Sequence, residues 1–128
     1  MQRRIIGISG KIGSGKDTLC GYLLKWDCTF EPKKFAQKLK QIGAMLTNTD
    51  LDLWFTEEGK NTFLPNWNMS IGTFQQKLGT EAMRVGLHPD TWAIALLADL
   101  EEDSKWIVTD VRFKNEANLI KDKGGVLI

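Results

Sequence analysis

A glycine-rich segment between an apolar strand and an amphipathic helix constrains this chain of 128 residues more than any other feature. Arg4 to Ile8 is predicted to form a short buried strand, and residues 16–25 a helix with leucines along one face. The segment between them, GKIGSGK, fits the pattern G-x-x-x-x-G-K. Glycines let backbone N–H groups curl around an anion, and the positive end of the following helix points at it. The order strand, loop, helix therefore predicts a phosphate-binding loop rather than a turn that only joins two elements.

The loop residues have separate predicted tasks in binding ATP and Mg²⁺. Lys16 would reach the β- and γ-phosphates. Asp17 stands where Ser or Thr usually offers a hydroxyl to the metal, and a carboxylate beside a triphosphate is repelled unless a cation lies between them. Asp17 is therefore a predicted Mg²⁺ ligand, direct or through water; an outward-facing acid in the first helical turn and a metal-side Thr18 are the open alternatives. The full predicted nucleotide-binding set is Gly10, Lys11, Ile12, Gly13, Ser14, Gly15, Lys16, Asp17 and Thr18.

The rest of the chain alternates helices with short strands. Ser70 and Asn115 are predicted N-caps, and Gly124 suits a left-handed helix end. Residues 48–69 have no periodicity and are interpreted as a functional loop. The pattern predicts an α/β fold, a single domain over 1–128 with a parallel sheet of about three strands covered by helices. The predicted helices are 16–25, 33–47, 70–86, a stretch after His88-Pro89-Asp90, and 115–123, and the predicted strands are 4–8, 106–108 and 126–128.

Asp110 follows an apolar strand, where ligands bind in an open α/β sheet. A carboxylate there would hold Mg²⁺ through water or orient the phosphoryl acceptor. The alternative is a loop aspartate that accepts backbone N–H groups before the next helix. Arg112 would clamp a phosphate, or pair with Asp110 or Glu116.

Candidate acceptor-side residues lie in the middle of the chain. Arg84 shares a polar helix face with Gln76 and Thr80; the alternative is an ion pair with Glu81. Trp92 is predicted in the core, with base stacking as the alternative. The cluster Lys33, Lys34, Lys38 and Lys40 is interpreted as a solvated helix face, with Lys40 as its candidate phosphate contact.

Composition narrows the choice of partners. Lys and Arg total 17 against 16 Asp and Glu, so the net charge of +1 is too small for binding a nucleic acid polymer through bulk charge. No apolar run approaches the ~20 residues of a membrane span. Two cysteines are interpreted as reduced thiols in a cytoplasmic protein.

Four stretches resemble the bacteriophage-type deoxynucleoside monophosphate kinases. They run in family order and cover nearly the whole chain. The most specific parts are GKDT, LGTE with a following Arg, and DVRF-x-NEA-x-x-I-x-x-x-GG. The stretches are GKIGSGKDT, KKFAQKLKQIGAML, LPNWNMSIGTFQQKLGTEAMRVGLHPDTWAIALL and WIVTDVRFKNEANLIKDKGGVLI.

The resemblance implies a P-loop NTPase-like three-layer fold and transfer of the ATP γ-phosphoryl group to a deoxynucleoside monophosphate, in a host cytoplasm if the protein is phage-encoded. It places Lys16, Asp17 and Thr18 at ATP and Mg²⁺, with the loop glycines Gly13 and Gly15. Asp110 and Arg112 fall on the acceptor–metal side, and Arg84 near the monophosphate. Lys60 and Trp67 fall in the family's acceptor-side region, 48–69.

Relative to that family, the chain is expected to lack a C-terminal lid and to be truncated after the third core strand. A fragment, a degenerate prophage product, and a homodimer that completes its sheet are open interpretations. The alternative functions are a P-loop kinase for another small phosphorylated acceptor, and an ATP-binding remnant that does not catalyse transfer.

Overall fold

The computed structural model describes residues 4–9 and 16–128, without the side chains of Lys16 and Asp17. Its strands are β1 (Arg4–Ser9), β2 (Glu31–Lys33), β3 (Phe63–Leu64), β4 (Met69–Ser70), β5 (Lys105–Val111) and β6 (Val126–Leu127). Its α-helices are α1 (Lys16–Trp26), α2 (Ala36–Thr47), α3 (Glu57–Lys60), α4 (Ile71–Gln76), α5 (Thr91–Leu97) and α6 (Lys114–Asp122). A π-helix spans Lys77–Val85, and short 3₁₀ helices span Leu51–Trp54 and Pro65–Trp67.

The chain divides into two compact units. Unit 1 comprises Met1–Phe35 and Ala93–Ile128, and unit 2 comprises Ala36–Trp92. Unit 2 is thus a single continuous segment, whereas unit 1 is built from the two ends of the chain.

Unit 1 contains a four-stranded parallel sheet in the order β2-β5-β1-β6. The predicted α/β class is confirmed, with one more strand than expected. The additional strand is β2, whose last residue, Lys33, is the predicted start of a helix that instead begins at Ala36. A strand of Glu, Pro and Lys has no apolar pattern, and it lies at the sheet edge, where the missing N–H of Pro32 is tolerated.

Helices cover both faces of this sheet. Ile8 and Ile107 pack with Cys20 of α1 and with Phe30, supported by leucines of α1. Successive residues of a strand point to opposite faces of the sheet, so Gly7 points away from the face that Ile8 occupies. A Cβ added at Gly7 would contact Ile120 of α6. Unit 1 is therefore a helix–sheet–helix sandwich, the three-layer arrangement predicted for the chain.

Unit 2 has its own apolar core, centred on Trp54. The Trp54 ring packs edge-on against Phe74, and its Nε1 donates to Thr49 Oγ1 over 2.9 Å. Trp67 packs on the same Phe74 ring. The buried members of this core are Ala44, Trp54, Leu64, Ile71 and Phe74.

Residues 48–69 are more ordered than expected. They contain the two 3₁₀ helices, α3 and the short antiparallel pair β3–β4. These elements are four residues or shorter, so none is long enough to show a helical or alternating pattern in the sequence.

The predicted helix over 70–86 divides into α4 and the π-helix. Ser70 caps α4 as predicted, since its side chain accepts from Thr73 N. The spacing of Ile71, Phe74, Leu78, Ala82 and Val85 predicts one apolar face along this helix. Ile71, Phe74 and Leu78 do pack in the core of unit 2, but Val85 is 79% exposed. A π-helix has more residues per turn than an α-helix, so later residues rotate out of a stripe spaced for 3.6.

The N-terminus of α6 differs from the prediction that Asn115 is its N-cap. The helix begins at Lys114, and Glu116, not Asn115, satisfies the N–H groups at its start. Gly124 has φ of 82°, as predicted for a left-handed helix end. None of the helices in the described stretches combines the length and apolar character needed to cross a bilayer.

Candidate active site

A β-bulge places Thr109 and Asp110 together at one position of the sheet. β1 and β5 pair in parallel, with Gly7 opposite Val108 and Ser9 opposite Val111. Two residues of β5, Thr109 and Asp110, therefore stand opposite the single residue Ile8. Parallel strands end at the same edge, so Asp110 lies at the edge where β1 ends and the predicted phosphate loop follows. Bulges are frequent beside active sites because they redirect a side chain.

The Asp110 carboxylate is tied to the main chain after β2. Its Oδ1 accepts a 2.8 Å hydrogen bond from the backbone N–H of Phe35, the residue before α2. The sequence allows the alternative that Asp110 accepts backbone N–H groups at the start of the next helix. Asp110 does accept such a group, but the N–H precedes α2, which comes earlier in the chain. A carboxylate can accept about four hydrogen bonds, so the same group has the capacity to meet a metal-bound water.

Arg112 and the start of α6 are positioned by a buried glutamate. Glu116 is only 3% exposed, and its Oε1 accepts from the N–H groups of Arg112 and Phe113 over 3.0 Å each. The Arg112 side chain itself is exposed. Of the contacts suggested for Arg112, the structure therefore gives one to Glu116, through the backbone rather than the guanidinium.

The predicted nucleotide-binding residues are described only in part. Helix α1 begins at Lys16, and Thr18 is exposed in its first turn. The first N–H groups of a helix have no partner within it, which suits an anion. The side chains of Lys16 and Asp17 lie outside the described residues, as do Gly10, Lys11, Ile12, Gly13, Ser14 and Gly15.

Four of the predicted acceptor-side residues, Lys40, Lys60, Arg84 and Trp92, belong to unit 2. Lys40 is 8% exposed, with Nζ 4.5 Å from the centre of the Phe55 ring, so it is not part of a solvated lysine face. Lys33, of the same predicted face, belongs to β2 in unit 1 and lies over the Trp106 ring.

Arg84 and Lys60 are both half-buried. Arg84 lies in the last turn of the π-helix. The ion pair that the structure gives Glu81 is with Lys77, at 3.6 Å, rather than the suggested one with Arg84. Lys60 ends α3 and lies 4.0 Å from Glu57.

Trp92 is enclosed in the protein interior. It is 4% exposed, and its Nε1 donates to the carbonyl of Gly79 over 3.0 Å. Both observations favour the core role over base stacking.

Oxygen donors at the end of β5 suit a hard cation. Among residues with described side chains, no group of three His, Cys, Asp or Glu is placed to hold a metal ion. A magnesium ion bound to nucleotide phosphates needs only one or two protein carboxylates and keeps several waters. The Asp110 carboxylate fits that chemistry, as does the hydroxyl of its neighbour Thr109, which has no hydrogen-bond partner among the described residues.

Two features of this region have only weak sequence signals, whereas a third could have been found. The Phe35 amide lies 75 residues from Asp110 and follows β2, a strand without an apolar pattern. The bulge at Thr109 leaves no trace in an apolar run. Glu116 was detectable, because a glutamate three residues after a helix-capping position often reaches back to the backbone.

The sheet order, the helical layers and an acid at the carboxyl end of a central strand define an α/β protein of the P-loop NTPase-like class. The chain is 31% identical over 140 aligned residues to a curated protein of Acanthamoeba polyphaga mimivirus named "Putative deoxynucleotide monophosphate kinase". The match covers 97% of this chain and 72% of the mimivirus protein, and the chain belongs to that nucleotide kinase family. No family model and no solved structure gives a significant match.

Proposed function

We propose that the chain transfers the γ-phosphoryl group of ATP to a deoxynucleoside monophosphate, giving the diphosphate and ADP. The observation that carries this proposal is a similarity covering 97% of the chain to a protein named for deoxynucleotide monophosphates. The GKDT, LGTE and DVRF stretches support a bacteriophage-type member of the family. Deoxynucleotide specificity rests on that printed name and that resemblance.

The proposed ATP side uses the loop and the end of β5. Backbone N–H groups of residues 10–18 would bind the phosphates, and Lys16 would neutralise charge on the β- and γ-phosphates. Asp17 and Asp110 would hold Mg²⁺, which when bound lowers the cost of charge developing on the transferred group. The Phe35 amide would keep the Asp110 carboxylate at the strand end.

The proposed acceptor side uses cationic side chains. Arg84 would bind the acceptor phosphate, with Lys60 and Lys40 as further candidates, and Arg112 would contact a phosphate group through its exposed guanidinium. No strong general base is required, because a monophosphate oxygen is already largely ionised near neutral pH (second pKa ~6). Catalysis would then consist of positioning and charge neutralisation.

An acceptor panel tests the proposal. The chain is incubated with Mg²⁺ and ATP together with each deoxynucleoside monophosphate, each ribonucleoside monophosphate, or a phosphorylated non-nucleotide acceptor. Both ADP and the phosphorylated product are measured. Formation of a deoxynucleoside diphosphate supports the proposal. Product from the non-nucleotide acceptor alone would assign another P-loop kinase, and ATP binding without any product would leave an ATP-binding remnant.

A further inference from the structure

Thr109 has a buried hydroxyl that the described protein does not satisfy. Its residue is 3% exposed, and Oγ1 has no hydrogen-bond partner among the described residues. The neighbours Ile107, Val108 and Val111 are fully buried and apolar. The hydroxyl is therefore a buried polar group beside apolar side chains of β5.

A hydroxyl in this position lowers the stability of the protein unless something binds it. A buried donor left without a partner typically shifts the folding equilibrium against the native state by about 5-fold to 150-fold. Valine has nearly the same shape as threonine and favours strands equally well. Packing alone therefore gives no reason for Thr at this position.

The place of Thr109 in the sheet indicates what its partner is. Thr109 and Asp110 share the position opposite Ile8, at the edge where β1 ends. Asp110 is the carboxylate that we propose for Mg²⁺. Buried water typically bridges polar groups that would otherwise be unsatisfied, and Mg²⁺ at phosphate sites keeps several of its waters.

We infer that the Thr109 hydroxyl is a positioning group that binds a water of the Mg²⁺ hydration shell, alongside Asp110, when the metal–nucleotide complex is bound. This inference rests on the proposed function. The hydroxyl then lacks a hydrogen-bond partner in the nucleotide-free protein and has one in the complex. Nucleotide binding should therefore restore the stability that the unpaired hydroxyl removes.

The first test measures stability without nucleotide. Thr109→Val should raise the melting temperature by about 2–6 °C, because it removes an unpaired buried hydroxyl without changing shape. The matched control is Thr47→Val, whose hydroxyl donates to the Gly43 carbonyl over 2.8 Å and should therefore lower the melting temperature. A lower melting temperature for Thr109→Val would show a protein partner for the hydroxyl and overturn the inference.

The second test measures binding by calorimetry, with Mg²⁺ and with EDTA. Thr109→Val should weaken binding of ATP with Mg²⁺ by about 3-fold to 10-fold and leave metal-free ATP binding unchanged. Thr109→Ser, which keeps the hydroxyl, should restore the wild-type value, and Thr47→Val should match wild type in both conditions. Equal weakening with and without Mg²⁺, or none, would contradict the inference.

The two proposals fail differently. If the wild-type chain binds no ATP in either condition, the proposed function fails. If wild type binds ATP more tightly with Mg²⁺ and Thr109→Val binds equally well, only the role of Thr109 fails.

Discussion

The backbone N–H of Phe35 donates a 2.8 Å hydrogen bond to Oδ1 of Asp110, which joins residues 75 positions apart. Phe35 follows the edge strand β2, and Asp110 lies near the end of β5, its neighbour in the sheet. The carboxylate is therefore held by the main chain of an adjacent strand end. This hydrogen bond fixes one oxygen of the Asp110 carboxylate beside the segment that joins β2 to α2.

Asp110→Asn should separate the structural and chemical roles of this side chain. The amide oxygen can still accept from Phe35, so we expect a melting temperature close to wild type. Loss of the negative charge should reduce kcat by roughly 100-fold and ATP affinity much less.

Asp110→Ala is the companion variant for the structural role. It leaves the buried Phe35 N–H without a partner and should cost about 1–3 kcal/mol of stability. Full activity of Asp110→Asn, measured with the acceptor that the panel identifies, would leave Asp110 as a structural residue only.

Lys16→Ala should weaken binding of ATP with Mg²⁺ by roughly 100-fold, because it removes a charge-assisted contact to the phosphates. The matched control is Lys25→Ala, which removes the same charge from the exposed end of the same helix. Isothermal titration with both variants gives the comparison. Equal affinities for the two variants would reject the phosphate-loop assignment.

Two helical glycines should respond to alanine in opposite directions. A Cβ at Gly43 in α2 would overlap two atoms of the Trp54 ring, so Gly43→Ala should destabilise the protein by about 1–3 kcal/mol. A Cβ at Gly21 in α1 would have no atom of the described residues within 4 Å, so Gly21→Ala should stabilise the protein by about 0.5–1 kcal/mol. Urea unfolding of both variants measures the difference, and the same sign for both would contradict the packing around Trp54.

Glu116→Ala should destabilise unit 1 by about 1–3 kcal/mol, because the backbone N–H groups of Arg112 and Phe113 lose their acceptor. Glu116→Gln keeps a side-chain oxygen and should recover most of that loss. Lys114→Ala, at an exposed position in the same helical turn, should stay within about 0.5 kcal/mol of wild type. Thermal denaturation followed by circular dichroism compares the three, and equal stabilities for the Ala and Gln variants would contradict the capping role.

Asp27 should make folding sensitive to acid. Hydrogen bonds from Thr29 and from Lys105 lower its pKa from 3.8 to about 2. The folded state therefore binds this proton less readily than the unfolded state. The stabilisation that Asp27 provides is present above pH 3.8 and is lost as the pH falls toward 2.

Unfolding free energies across this acidic range test that expectation. Asp27→Asn should show a shallower loss of stability on acidification than wild type. Lys105→Met keeps an apolar side chain but removes the ammonium, so it should raise the pKa of Asp27 part of the way back toward 3.8. Identical slopes for wild type and Asp27→Asn would contradict the prediction.

Local sequence signals predict the elements that are long or bounded by distinctive residues. The apolar run predicts β1 to within one residue, Ser70 caps α4, and Gly124 takes the left-handed conformation. In each case the physical cause lies within a few residues of the element. That is why a single sequence contains enough information.

The parts that escape prediction depend on distant partners. Strand β2 exists because Glu31–Lys33 pair with β5, whose residues come more than 70 positions later. The same pairing takes Lys33 out of the predicted lysine face and puts it over the Trp106 ring. Asp110 was predictable as an acid at a strand end, but the bulge beside it and its bond to Phe35 arise only when the sheet forms.

The way the chain passes between its units has an evolutionary consequence. The backbone leaves unit 1 after Phe35 and re-enters it at Ala93, so the segment 36–92 contains no residue of the four-stranded sheet. The predicted acceptor-side residues Lys40, Lys60, Arg84 and Trp92 are encoded there, whereas Arg112 is encoded after it. A lineage could therefore recombine residues 36–92 as one cassette and acquire a new acceptor preference, while inheriting the four-stranded scaffold and its aspartate unaltered.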